Sequence, residues 1–179
     1  MPYAISIKSQ NKTAKAISGF WTRFGALEAE GSMAALNYPP HITLARYDAI
    51  DEGLLSETMQ SSFEKIDPFT LRFEALNYFE EPSLVIWAAP VFSTELKNTQ
   101  AEINRRIDPA LCAPHYRPEN WVPHATLAMS VTPSNKAAAI RLTKETISPF
   151  EVVFDVADCA EFYPVRVIKE CRLGPSEQS

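Results

Sequence analysis

Histidine is scarce in this chain. There are only three, His41, His115 and His124, among 179 residues. Glycine is scarce too, at five, which leaves little material for a glycine-rich phosphate loop. No Ser or Cys sits in a nucleophile-elbow context. The three cysteines, Cys112, Cys159 and Cys171, are odd in number and lack zinc-ligand spacing, so they read as reduced thiols of a cytoplasmic protein. No apolar run approaches the roughly 18 residues of a membrane helix. The opening "MPYAISIKSQ" lacks the basic stretch and apolar run of a signal peptide. Positive charge is also short: 17 Lys and Arg against 22 Asp and Glu, a net charge of −5. That disfavours broad clinging to nucleic acid, which relies on many cations meeting phosphates. It leaves room for a small phosphorylated substrate in a locally basic cleft.

What is present is ample core material, 46% hydrophobic residues, in a chain long enough to bury it. Residues 3–8 read as a strand. Ala14, Ile17, Trp21 and Phe24 recur at helical spacing, predicting a helix over about 12–30. A strand carrying His41 follows over 38–47, then a helix over 51–65. "PFTLRFEAL" (68–76) alternates strictly, as a half-buried strand does. "SLVIWAAPV" is a second strand after the turn at Glu80-Glu81-Pro82. Leu96, Ile103, Ile107 and Leu111 mark a third helix. A strand carrying His124 covers 121–131. A fourth helix starts near Thr132 with Ser134 as its N-cap. "PFEVVFDVA" and "FYPVRVIKECRL" close the chain as strands. The order repeats: strand, helix, His strand, helix, strand, first over about 1–80 and again over about 83–173. "PFTLRFE" and "PFEVVFD" echo each other at equal offsets. No linker separates the halves, so the expectation is one bilobal domain over 1–179 with an internal duplication, and a flexible tail over 174–179. The fold class is α+β: two pseudo-symmetric lobes, each an antiparallel sheet with two helices, flanking a central cleft.

The two His strands carry the chemistry. "YPPHITLAR" (38–46) and "WVPHATLAM" (121–129) share Pro-His-x-Thr-Leu. In a strand, residues i and i+2 face the same side, so His41 pairs with Thr43 and His124 with Thr126. A pseudo-twofold brings both pairs to one cleft. In-line displacement at phosphorus needs a base on one side and an acid on the other. Histidine serves either role near neutral pH, its unperturbed pKa being about 6.5. The threonine hydroxyls suit the non-bridging oxygens of a phosphate.

Two such elements, 83 residues apart (124 − 41), resemble the two-histidine phosphoesterase superfamily, and within it the bacterial 2′-5′ RNA ligase and cyclic phosphodiesterase proteins. The resemblance spans essentially the whole chain in element order. It implies two α+β lobes around a cleft and metal-independent opening of 2′,3′-cyclic phosphates on nucleotides or RNA ends. It implies no cofactor, with His41 and His124 as the catalytic pair and Thr43 and Thr126 as phosphate ligands. It further implies that His124 activates water and His41 protonates the leaving ribose oxygen; the strand geometry by itself does not order them.

Other residues are lesser candidates for the substrate. His115 and Arg117 lie on the loop "APHYRPENW", where they read as solvated residues or as contacts at the cleft mouth. Trp121 reads as packing or as a base-stacking platform. Tyr47 continues the His41 face by parity, whereas Arg46 shares the parity of core-facing Leu44 and so reads as a residue of the strand end. Tyr163 and Tyr3 are further cleft candidates. The expected partner is a nucleotide or an RNA terminus, with a monomer and no obligate protein partner. Three alternatives stand beside the hydrolase: a 2′-5′ RNA ligase or 2′-5′ phosphodiesterase, a non-catalytic module sensing a nucleotide or RNA end, and a metal-dependent hydrolase.

Overall fold

Alternation and helical periodicity resolve into eight strands and five α-helices in the structure, a computed structural model that describes residues 1–174. The strands are β1 (Tyr3–Lys8), β2 (His41–Tyr47), β3 (Phe69–Phe79), β4 (Val85–Pro90), β5 (Ala125–Ala128), β6 (Phe150–Phe154), β7 (Val156–Glu161) and β8 (Arg166–Arg172). The helices are α1 (Lys15–Gly25), α2 (Ser32–Ala35), α3 (Glu52–Phe63), α4 (Thr94–Arg106) and α5 (Lys136–Thr143). Asp51 and Ser93 cap α3 and α4 by accepting from Leu54 N at 2.8 Å and Leu96 N at 3.1 Å, satisfying orphan donors of the first turn.

The strands form one antiparallel sheet in the order β6-β3-β4-β5-β2-β1-β7-β8. Its middle is thin. β2 and β5 share the single pairing Ile42↔Ala125, so the sheet divides there into two four-stranded lobes. Helices α3 and α4 pack on the β2-β1-β7-β8 lobe, and α1 and α5 on the β6-β3-β4-β5 lobe. This is the expected architecture, two helices per antiparallel sheet. Each lobe draws strands from both halves of the sequence. β6 and β7 run on from one another, and Asp155 between them is where the chain crosses from one lobe to the other. Its N–H donates to Lys8 O at 3.2 Å and its carboxylate accepts from Gln10 N at 2.9 Å. The two echoing segments lie side by side: Phe69 pairs with Phe154 and Phe73 with Phe150, and the Phe73 and Phe150 rings stack at 5.1 Å.

The core lies between the sheet and its helices. Ile5, Ile7, Ile42, Leu44, Leu55, Met59, Phe63, Phe73 and Phe154 are all wholly buried. Each such side chain contributes about 1.5–3 kcal/mol relative to exposure.

Several boundaries differ from the sequence reading. The first helix stops at Gly25 because the chain folds back there: a side chain on Gly25 would stand 3.4 Å from Gly31 Cα. The third helix stops at Arg106, short of Leu111, since Pro109 opens a separate 3₁₀ turn and cannot continue an α-helix. Ser134 lies within a 3₁₀ turn that precedes α5, and Asn135 takes the N-cap position. Gly174, expected in the tail, is tied down by its N–H to Ile66 O at 2.8 Å. The rest of the expected tail, 175–179, lies outside the described residues.

Candidate active site

The Ile42↔Ala125 pairing fixes the site. Extending this antiparallel register one residue each way sets His41 across from Thr126 and Thr43 across from His124. All four side chains line one cleft of about 250 Å³, together with Pro2, Tyr3, Arg46, Tyr116, Met129, Phe162 and Tyr163. A second chamber of about 380 Å³ opens beside it, sharing Arg46, Tyr116, His124, Thr126 and Met129. Phe79, Pro82, Val85, His115, Trp121 and Val122 wall this chamber, and Glu81 and Asn120 also line it.

Both histidines are held in the same way. His41 Nδ1 lies 2.9 Å from the carbonyl of Pro39, and His124 Nδ1 lies 2.7 Å from that of Val122. A carbonyl only accepts, so Nδ1 carries the proton in each ring and Nε2 is left for a ligand. Pro40 and Pro123 explain the repeat of this contact. A residue before proline is pushed into extended backbone, which here carries its carbonyl back beside the following histidine. Burial pushes the pKa of His41 down to about 4, opposed by the Pro39 carbonyl and helped by the charges of His124 and Lys8. Burial also lowers that of His124, opposed by the Val122 carbonyl.

The two rings have different neighbours. His124 meets the edges and faces of Phe79 and Trp87 at 5.2 and 5.7 Å between centroids. His41 meets the edge of Tyr38 at 4.8 Å.

Each threonine carbonyl is bonded by an indole. Trp121 Nε1 donates to Thr43 O and Trp21 Nε1 to Thr126 O, both at 3.0 Å. The short β2–β5 pairing leaves these carbonyls without a ladder partner, and the tryptophans supply it. Trp121 is therefore a brace for β2 whose ring also walls the second chamber.

A β-bulge re-aims the end of each His strand. Ser6 pairs with Thr43 and Ile5 with Ala45, leaving Leu44 unopposed; Trp87 pairs with Thr126 and Ile86 with Ala128, leaving Leu127 unopposed. The extra residue reverses the alternation. Arg46 and Met129 consequently line the cleft, and Tyr47 turns into the core. Two readings from parity are thereby corrected. Tyr47 is wholly buried, with its hydroxyl unpartnered and away from the cleft, and Arg46 belongs to the site. The repeated Thr-Leu-Ala was the only sequence sign of the bulge. Arg117 is a third correction. Its guanidinium bonds the carbonyls of Cys112 at 3.2 Å and Ala110 at 3.3 Å, so it ties its own loop and does not line either chamber. His115 is exposed and lines the second chamber only. Tyr163, 55% exposed, stands at the rim with its hydroxyl 3.6 Å from Met129 Sδ.

Sequence reasoning missed Arg46, Tyr38, Phe79, Trp87 and Met129 as neighbours of the histidines. Among the described residues no group of three or more His, Cys, Asp or Glu is placed to hold a metal ion, and no helix is long and apolar enough to cross a membrane.

A family profile described as the 2′-5′ RNA ligase superfamily matches residues 15–161. Solved structures share the fold. TT0787 of Thermus thermophilus is 16% identical with a TM-score of 0.65, the match covering 99% of this chain and 100% of that one. E. coli LigT complexed with 3′-AMP is 14% identical with a TM-score of 0.64, over 97% of this chain and 99% of that one. E. coli LigT complexed with phosphate is 12% identical with a TM-score of 0.58, over 96% of each. No curated protein matches the sequence.

Proposed function

The chain belongs to the 2′-5′ RNA ligase superfamily, a group of enzymes acting on phosphodiester bonds, and from that premise we propose that it hydrolyses the 2′,3′-cyclic phosphates of nucleotides or RNA ends without a metal. The observation that carries this reading is the cleft in which two histidines, each with Nδ1 held by a carbonyl, flank two threonine hydroxyls.

In this scheme the cyclic phosphate lies between the rings. Water attacks phosphorus as His124 Nε2 takes its proton. The bond from phosphorus to one ribose oxygen breaks, and the protonated Nε2 of His41 donates to that oxygen. The products are a ribose hydroxyl and a phosphate monoester, and the two rings have exchanged charge. His124, whose pKa is lowered by burial, is neutral near pH 7 and fit to act as the base. His41, lowered to about 4, is a strong acid once the negative charge of the bound substrate favours its protonated form and it takes a proton from solvent. Thr43, Thr126 and Arg46 donate to the non-bridging oxygens. The aromatic second chamber takes the nucleoside, where His115, Trp121 and Tyr163 are its remaining candidate contacts. LigT is known as a complex with 3′-AMP, a nucleoside monophosphate of the size that cleft and chamber together accommodate. The enzyme acts as a monomer in the cytoplasm, in keeping with its three unpaired thiols.

With a 5′-hydroxyl attacking in place of water, the same groups open the cyclic phosphate into a 2′-5′ linkage, so the test includes both bond types. Purified protein in EDTA is offered 2′,3′-cyclic, 3′,5′-cyclic and 2′-5′ linked substrates. The proposal predicts turnover of the 2′,3′-cyclic compounds with release of one phosphate isomer. Absence of turnover across all four bases and across oligonucleotide ends contradicts it.

A further inference from the structure

The two Pro-His-x-Thr-Leu strands match residue for residue, yet the sheet beside each is built differently. Next to β5 the row runs Thr126, Trp87, Asn77 across paired strands, and the neighbours of His124 are aromatic. Next to β2 the row runs Thr43, Ser6, Asp158, Glu170, and His41 itself pairs with Lys8. This side is charged. Lys8 is 1% exposed and Asp158 is 0% exposed. Lys8 Nζ lies 2.7 Å from Asp158 Oδ2 and 2.5 Å from Glu170 Oε2, whose side chain is 41% exposed. The Tyr38 hydroxyl donates to Asp158 Oδ1 at 2.6 Å. The Lys8 ammonium also stands 4.9 Å from the centroid of the Tyr38 ring, and the edge of that ring meets His41.

A buried ion pair is weak evidence for stability, because desolvating two charges costs about as much as their attraction returns. A packed apolar pair would hold β1 to β7 as well. The cluster does something an apolar pair does not. Asp158 and Lys8 fix the Tyr38 ring by a hydrogen bond and a cation–π contact, and Tyr38 in turn fixes the plane of His41.

We infer that Tyr38, held by Asp158 and Lys8, is a positioning residue for His41, and that this cluster is what makes the two matched histidines inequivalent. The inference rests on the proposed catalytic role of His41. The charged and titratable groups about His41 are Lys8 and Tyr3 on β1, Tyr38 ahead of β2, Arg46 on β2, His124 just ahead of β5, Asp158 on β7 and Glu170 on β8. Tyr116 and Tyr163 stand across the cleft. Lys8 is the one cation between the two carboxylates. Removing it leaves two negative charges near His41, and removing Asp158 takes one negative charge away and leaves Lys8 facing Glu170 alone. The two changes therefore push the ring in opposite directions.

The test is the titration of both imidazoles by NMR in substrate-free protein. Lys8→Met raises the His41 midpoint by about one unit, Asp158→Asn lowers it, and His124 moves by less than about 0.3 units in either. If Lys8→Met does not fold, Glu170→Gln at the exposed end replaces it with its own criterion: it lowers the His41 midpoint, and a His41 midpoint that rises or stays in place overturns the inference. Tyr38→Phe keeps the ring and loses its anchor. It lowers kcat about tenfold with KM within about threefold, the pattern of an interaction used mainly in the transition state. Midpoints of His41 that move the same way in Lys8→Met and Asp158→Asn overturn the inference. So do equal movements of both rings, or a Tyr38→Phe kcat within twofold of the parent. The titrations need no substrate, so they stand or fall separately from the cyclic phosphate reading.

Discussion

In the proposed reaction the imidazoles of His41 and His124 set the pH behaviour. Both pKa values lie below the ordinary 6.5, that of His41 at about 4. Catalysis needs one ring protonated and the other free. In the free enzyme the alkaline limb of kcat/KM follows the higher of the two values, which lies under 6.5. The kcat/KM profile is thus predicted to be bell-shaped with its maximum below pH 6.5. The kcat profile shifts to higher pH, because a bound phosphate anion favours the imidazolium. A kcat/KM maximum at or above pH 8 contradicts this account. These two residues were legible in the sequence because a paired Pro-His-x-Thr-Leu is specific. Their partners Tyr38, Phe79 and Trp87 were not, since they reach the rings through tertiary packing that no local pattern reports.

The bulged strand is the element that builds the rim of the cleft. Period-2 alternation placed His41, Thr43, His124 and Thr126 correctly. Carried two residues further, it put Tyr47 on the cleft face and Arg46, by its parity with Leu44, at the strand end and off that face. The unopposed Leu44 inverts both. An extra residue changes the face without changing composition, which is why alternation alone could not find it. The consequence is a guanidinium at the cleft: Arg46 lines it, as does Met129, the corresponding residue just after β5. Its side chain is 44% exposed and, among the described residues, pairs only with Asp48 at 3.2 Å, a surface contact worth little by itself. It is therefore available for substrate. Arg46→Ala is predicted to raise KM for a cyclic nucleotide roughly tenfold, the scale of one charge-assisted hydrogen bond. Steady-state kinetics check it, and a KM within twofold of the parent contradicts it.

At the scale of the whole molecule, the cleft exists because two lobes meet at one residue pair. The alternating elements and the absence of a linker made two α+β lobes legible. The exchange of strands and helices between lobes was not, because the repeat order is equally compatible with each half folding on itself. Phe69–Phe154 and Phe73–Phe150 show the difference: segments that echo each other in sequence are neighbours in one lobe. The site belongs to neither lobe alone. His41 rests on β2 and His124 leads into β5, so the two lobes together hold the proposed acid and base.

The measurement that bears most directly on this claim is kcat/KM for a 2′,3′-cyclic nucleotide in EDTA, for the parent, His41→Ala, His124→Ala and the double variant. Groups that act as a unit show strongly non-additive losses. Each single change is predicted to cost about 10²–10⁴-fold, and the double change about as much as the worse single one. Losses that multiply, or a single variant retaining more than about a tenth of the parent activity, would contradict an acid–base pair working across one cleft.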